Sequence, residues 1–344
     1  MPDTKFGCLP TIIGSMPHTD PVEACSLINR YLKDIPAWPQ LPRRTFLEDM
    51  NVQFSEGFPG ITVDTEKRKV YVNRAGKEVN ECLEHLYAAF LANDVDRDAV
   101  SREYARGLYQ FLTFNITPRL VKGQVTGPVT FGMNIVDENG KGIIYDDLLG
   151  DAVPKLLKLK AAWQEQQLKR ISKNTTIFLD EPYMSGFGSV ALMLSREKVI
   201  ALLDEVFSGI SGFKGVHCCG NTDWSVLLAT KVDIISFDAY NYGQSLSLYP
   251  AEVKKFLDRG GAVGWGIVPN TAEALACESV ASLQDRMEEA IAPFTRQGIA
   301  FKKLVAQSLL TPSCGLAGLP GPDVSARALE LLTELSNRIK QKYL

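Results

Sequence analysis

The sequence predicts an α/β chain folded as a (β/α)8 TIM barrel with an inserted hairpin, and three observations carry that expectation. Short β-branched or apolar runs alternate with segments of helical periodicity along the whole chain. Eight such runs in 344 residues suit a closed barrel better than a doubly wound sheet. Polar and metal-binding side chains follow the runs where a barrel carries its chemistry, at the carboxyl ends of its strands.

Taken in order, strands are expected at 10–15 (PTIIGS), 37–42 (AWPQLP), 118–126 (PRLVKGQVT) and 175–180 (TTIFLD). They continue at 213–218 (FKGVHC), 232–237 (VDIISF), 261–267 (GAVGWGI) and 303–310 (KLVAQSLL), each bounded by Gly, Pro or polar residues. Helices are expected at 20–33, 79–114, 150–173, 195–210, 222–230, 248–259, 271–297 and 323–341. The clearest is DAVPKLLKLKAAWQEQQLKRISK, with apolar residues three and four apart and charges opposite. The stretch GITVDTEKRKVYVN, residues 60–73, alternates apolar and polar residues around a charged turn and reads as a hairpin inserted after the second strand. Without an internal repeat or a Pro/Ser linker, one domain over 1–344 is expected.

A content of 45% hydrophobic and 22% charged residues excludes a disordered or collagen-like chain. Lys and Arg number 37 against 40 Asp and Glu, a net charge of -3 with no long basic run, which argues against nucleic acid and anionic membrane as partners. No stretch reaches the roughly 18 apolar residues of a membrane span, and MPDTKFGCLPTIIGS lacks the pattern of a signal peptide, so a cytoplasmic location is expected. The seven cysteines (8, 25, 82, 218, 219, 277, 314) are odd in number and unrelated in spacing, which argues against a disulfide framework. Of the three histidines, His18, His85 and His217, the last lies beside two cysteines.

In VHCCGN, His217 and Cys219 are two apart at a strand end, so an extended backbone points both the same way. Asp238 leaves the next strand in IISFDAY and Cys314 leaves the last in TPSCGL; a barrel mouth can gather all four. The set His217, Cys219, Asp238 and Cys314 mixes nitrogen, sulfur and oxygen in a way that suits tetrahedral Zn. Its alternative is a hydrogen-bonded barrel histidine with cysteines serving as buried small hydrophobes. Cys218 faces the other way and is read as packing.

LDEP, residues 179–182, puts two carboxylates at the end of an apolar strand. Such a carboxylate can bind an ammonium group or move a proton, and equally Asp180 or Glu181 can cap a helix. In TIIGSMPHT, residues 11–19, Ser15 offers a hydroxyl and an amide to a substrate carboxylate, whereas Ser15 or Thr19 can also cap the following helix. GGAVGWG at 260–266 lies inside a strand and opens no helix, which makes it a poor phosphate loop.

These motifs together resemble one family. IGSMPHT is similar to the I-G-S-F-P-Q-T segment of the catalytic domain of cobalamin-independent methionine synthases, and VTGPVT (125–130) and DEP (180–182) resemble runs found there. VHCC, SFDA and TPSCGL fall in the order and approximate spacing of that family's zinc-ligand segments, so the resemblance spans residue 10 to about 320. It implies a barrel shared with uroporphyrinogen decarboxylase, a zinc ion, and methyl transfer to the thiol of homocysteine. His217, Cys219 and Cys314 match the ligand positions, while Asp238 stands where the family has Glu, one methylene shorter in reach. Ile13, Gly14 and Ser15 fall where the family holds the homocysteine carboxylate, and Asp180 where it holds the amino group, with Glu48 in FLEDM as a second acidic partner.

The departures point to a particular donor. The length leaves no room for the family's amino-terminal barrel, Val268 in GWGIVPN stands near the position of a catalytic His, and the folate-stacking aromatic after VTGPVTF is missing from GMNIVDENG. A folate nitrogen leaves only when protonated, whereas cob(I)alamin leaves without a proton. The expectation is therefore a single-domain core methionine synthase that takes its methyl from methylcobalamin or a methylated corrinoid protein. The rivals are a methylcobamide:coenzyme M-type enzyme, disfavoured because Asp180 would repel a sulfonate, and a uroporphyrinogen decarboxylase-like enzyme, disfavoured because only Arg43, Arg44 and Arg119 come near the strand ends.

Overall fold

A computed structural model describes residues 5–74 and 78–344. Its strands are β1 (Leu9–Pro10), β2 (Ile61–Asp64), β3 (Lys69–Val72), β4 (Val121–Thr126) and β5 (Val136–Asp137), then β6 (Thr175–Asp180), β7 (Phe213–Cys218), β8 (Ile234–Phe237), β9 (Ala262–Val268) and β10 (Ser308–Pro312). Seven of them form a curled parallel sheet in the order β1-β10-β9-β8-β7-β6-β4. Helices join most neighbours, as parallel pairing requires.

The segment 34–40 spans the gap between β1 and β4 without becoming a continuous strand. Gln40 bridges to Ser15 on one side and Ala37 to Lys122 on the other. Gln40 N donates to Gly14 O at 3.1 Å, Met16 N to Gln40 O at 2.9 Å and Lys122 N to Pro36 O at 2.9 Å. Pro36, Pro39 and Pro42 deny it the full ladder expected over 37–42. Side chains compensate: Trp38 Nε1 donates to Gln164 Oε1 at 3.1 Å, and Gln164 Nε2 donates to Gln124 O at 3.0 Å.

The hairpin is present as the antiparallel pair β2–β3, with Ile61 opposite Val72. It gains a third member in β5, which pairs with β3 through Tyr71 and Val136. The strand expected over 10–15 is reduced to Leu9–Pro10, and three further expected elements differ. The single helix expected over 79–114 is two, Val79–Ala92 and Arg106–Phe111, because Asn93 turns left-handed at φ 52° and ends the first. The helix over 271–297 breaks at Glu278, and Ser279 with Ser282 starts a new helix through a reciprocal cap. Residues 303–306, expected in the last strand, belong instead to the helix Phe301–Ala306, so β10 begins only at Ser308; periodicity alone does not separate a short buried helix from a strand.

Apolar side chains form two clusters. The larger fills the space between the sheet and its helices; the smaller, with Leu9, Ile35, Leu120, Phe178, Phe213 and Leu309 among its members, plugs the inside of the curl at the amino ends of the strands. Above that plug the interior turns polar, with buried Lys122, Gln124 and Thr126 alternating along β4.

Glu181, just past β6, fastens the polar layer. Fully buried, it accepts from Val129 N at 2.9 Å, Thr130 N at 2.7 Å and Thr130 Oγ1 at 2.6 Å, and so caps the helix Pro128–Asn134 from another strand's loop. Gly127 makes room for this, since a Cβ there would lie 2.2 Å from the Glu181 carboxyl carbon. Glu181→Ala leaves two buried amides without acceptors and is expected to destabilise the fold by about 2–4 kcal/mol, measured by denaturant unfolding. A loss below about 0.5 kcal/mol would refute the capping role.

Candidate active site

Parallel pairing sets four polar side chains abreast on the inner face near the carboxyl ends of the strands. The register places Thr126 beside Asp180, Asp180 beside His217, and His217 beside Ser236. Cys219 follows two residues after His217 on the same side. Cys314 arrives from across the sheet, where a register shift at Thr311/Pro312 bends the chain leaving β10. Ligand atoms of His217, Cys219 and Cys314 lie within 4.8 Å of one another.

His217 is 2% exposed; its Nδ1 sits 3.1 Å from Ser236 Oγ, while its Nε2 is buried without a partner. A buried imidazole nitrogen left open beside two thiols is what a metal ligand looks like before the metal is considered, with Ser236 holding the ring in orientation. The interaction of the two neighbouring thiols is the main reason Cys219 is held below the ordinary thiol range and Cys314 is pushed above it. His217 adds to the lowering at Cys219. A set of one imidazole and two thiols suits zinc, which three such ligands hold with a fourth position open. Cys218 instead packs into the core behind the sheet, and burial pushes its thiol up to about 12.

Asp238 does not join this group. Its Oδ1 accepts from Asn241 N at 2.8 Å and its Oδ2 from Asn241 Nδ2 at 2.7 Å, capping the short helix Ala239–Tyr242. The expectation of a fourth protein ligand is corrected accordingly: a carboxylate at the end of a strand that runs straight into a helix is taken by the helix amides.

The two carboxylates of the DEP segment part company. Glu181 is the cap, whereas Asp180 Oδ1 is buried with no partner and faces the cavity that holds the His217 and Cys219 side chains. Burial pushes Asp180 up to about 6, against the opposing pull of Lys122 and His217. Glu48 lines the same cavity but is engaged, with Oε1 2.6 Å from Arg44 Nε and Oε2 accepting from Leu41 N at 3.1 Å. Arg43 and Arg119 donate to the carbonyls of Pro320 and Lys5.

The cavity is about 230 Å3 and its lining brings together Ile13, Ser15, Glu48, Asp180, His217, Cys219 and Cys314. Gly14 sits behind that wall, close-packed between two glutamines: a Cβ would lie 2.7 Å from Gln124 Cδ and from Gln40 Oε1. Gly315 has the same function beside Cys314, since its Cβ would lie 2.1 Å from Ser15 Oγ. A larger open cleft of about 830 Å3 between the hairpin and the helix Met50–Gln53 adjoins it through the shared Asp49. Sequence reasoning passed over Lys122 and Gln124. Their signal was the K-x-Q-x-T alternation in VKGQVT, which puts polar groups on the inner face of a buried strand. Val268 closes β9 fully buried. Among the described residues no helix is long and apolar enough to cross a membrane.

No protein-family model and no curated protein matches the sequence. A search of solved structures finds a B12-independent methionine synthase from Shewanella sp. W3-18-1 in complex with selenomethionine, at TM-score 0.58 and 15% identity, covering 97% of this chain and 98% of that chain. At that identity the likeness is one of fold. It nevertheless overturns the expected corrinoid donor and corrinoid protein partner. A chain of this length and fold is described as B12-independent, so the lack of a second barrel does not call for a cobalt-borne methyl group. Val268 and the missing aromatic rested on the same inference and no longer carry it.

Proposed function

We propose that this chain is a methyltransferase of the methionine synthase type, which methylates the thiol of homocysteine from a donor that carries its methyl on an atom other than cobalt. The observation that carries the reading is the unpartnered Nε2 of His217 within 4.8 Å of the thiols of Cys219 and Cys314, at a cavity that also holds the unpartnered Asp180 Oδ1. The selenomethionine in the neighbour's structure supports an amino-acid acceptor, because that molecule is an analogue of the methylated product. In this reading the curled sheet with its bridging segment 34–40 is a (β/α)8 TIM barrel and a single domain, the second strand being reduced to bridges.

His217, Cys219 and Cys314 would hold zinc, which when bound lowers the pKa of a coordinated thiol and keeps it reactive near neutral pH. Asp180 accepts from the ammonium of homocysteine, and Glu48, held by Arg44 and the Leu41 amide, lends a second carboxylate to the same side of the cavity. Ile13, Gly14 and Ser15 receive the carboxylate. The adjoining cleft gives the donor access to the sulfur. With Asp180 and Glu48 in the lining and no Lys or Arg there, a sulfonate thiol or a tetrapyrrole carrying many carboxylates is poorly matched.

Zinc measured in the purified protein is expected at about one ion per chain, and Cys219→Ser and Cys314→Ser are each expected to lower affinity by at least about tenfold. Full retention in both variants would remove the ligand assignment. Asp180→Asn replaces a charge-assisted hydrogen bond by a neutral one at a cost of about 1–3 kcal/mol, and should raise the KM for homocysteine roughly 5–150-fold with zinc content unchanged. An unaltered KM with normal turnover would show that Asp180 does not touch the substrate. Methionine formation from homocysteine and a methylfolate, without any corrinoid, tests the reaction; methylation seen only when a methylated corrinoid is added would sink the donor class.

A further inference from the structure

We propose that Lys122 is a positioning residue that aims the cavity at an α-amino acid, acting through the Ile13–Gly14 peptide on one side and Asp180 on the other; this rests on the thiol methyl transfer proposed above. Lys122 is 1% exposed, the second residue of β4 and inside the curled sheet. Its Nζ donates to Ile13 O at 2.5 Å and to Gln124 Oε1 at 3.3 Å, and lies 4.6 Å from the ring centre of Phe178, which belongs to the apolar plug. Among the described residues no carboxylate comes within 4.0 Å of it. A buried cation without an ion pair weakens a fold, so a stability role does not account for it.

Its position does. A trans peptide points its C=O and N–H in opposite directions, so an Ile13 carbonyl drawn down to the ammonium turns the Gly14 N–H away from it, between Ile13 and Ser15, which line the cavity. That N–H makes no hydrogen bond among the described residues. A carbonyl bonded to a cation leaves its amide a stronger donor, which suits a carboxylate. On the neighbouring strand, Lys122 pairs in register with Thr176 and Thr126 with Asp180, so the lysine backbone lies two repeats of the pleat below the carboxylate, and its long side chain carries a positive charge that favours the carboxylate's charged form. The cavity is thereby positive behind Ile13 and Gly14 and negative at Asp180, a polarity that matches the two charged groups of an amino acid in one orientation.

The test compares three acceptors by calorimetry on the zinc-loaded chain: homocysteine, 3-mercaptopropylamine, which lacks the carboxylate, and 4-mercaptobutyrate, which lacks the ammonium. The chain is expected to bind homocysteine at least about tenfold more tightly than 3-mercaptopropylamine. In Lys122→Met that ratio should fall to within about twofold, while zinc content stays the same and the melting temperature does not drop. A variant that keeps the full ratio overturns the inference, as does one whose loss of binding is equal for all three thiols. Should Lys122→Met not fold, the unmodified chain still decides, since equal affinity for homocysteine and 3-mercaptopropylamine contradicts a carboxylate-directed site. Binding of none of the three would bring down the thiol-acceptor reading as well, whereas homocysteine binding with an unmoved ratio brings down Lys122 alone.

Discussion

The curl of the parallel sheet is the constraint on which everything else rests. Between β7, which leads to Cys219, and β10, which leads to Cys314, lie β8 and β9, so a flat sheet would hold the two thiols about 14 Å apart. They are instead within 4.8 Å, with His217. Small residues permit that approach. At Gly266 in β9 a Cβ would lie 2.4 Å from Phe237 O and 3.0 Å from Pro312 O, so a side chain there would push β8 and β10 apart. At Gly215 in β7 it would strike the ring of Phe178 at 2.4 Å and unseat the apolar plug.

The interior of the curl is divided by height. The amino ends of the strands close over apolar side chains, Lys122 stands directly on that plug, and the carboxyl ends carry Asp180, His217 and the thiols above it. Burying unpaired polar groups costs stability, and at this wall the structure accepts that cost at Asp180 Oδ1 and His217 Nε2 while Glu181 next to them is fully bonded. Open polar groups of complementary chemistry that converge on one cavity, beside two thiols, are what a place built for a ligand requires.

Much of this was legible in the sequence because two rules reinforce one another. Strand alternation puts His217 and Cys219 on one side, and the barrel rule puts that side at the mouth, which together brought in Cys314 from a segment almost a hundred residues away. Asp238 obeyed both rules and was still misjudged, because Asn241 three residues later competes for it and local capping wins over a more distant ion. Lys122 was hidden for the opposite reason: a lysine in a buried strand looks like a surface residue until its neighbours at i+2 and i+4 are read as an inner face. The segments near Asn93 and at 301–306 were decided by a left-handed turn and by tertiary packing, neither of which hydrophobic periodicity reports. The donor was misread because missing residues are a weaker guide to chemistry than those present.

Zinc K-edge absorption of the purified chain, recorded with and without homocysteine, tests the central claim most directly. The account predicts one imidazole nitrogen and two sulfurs around the metal, near 2.0 and about 2.3 Å, with a third sulfur entering when homocysteine is added. A metal shell without two protein sulfurs, or one that homocysteine leaves unchanged, would contradict it.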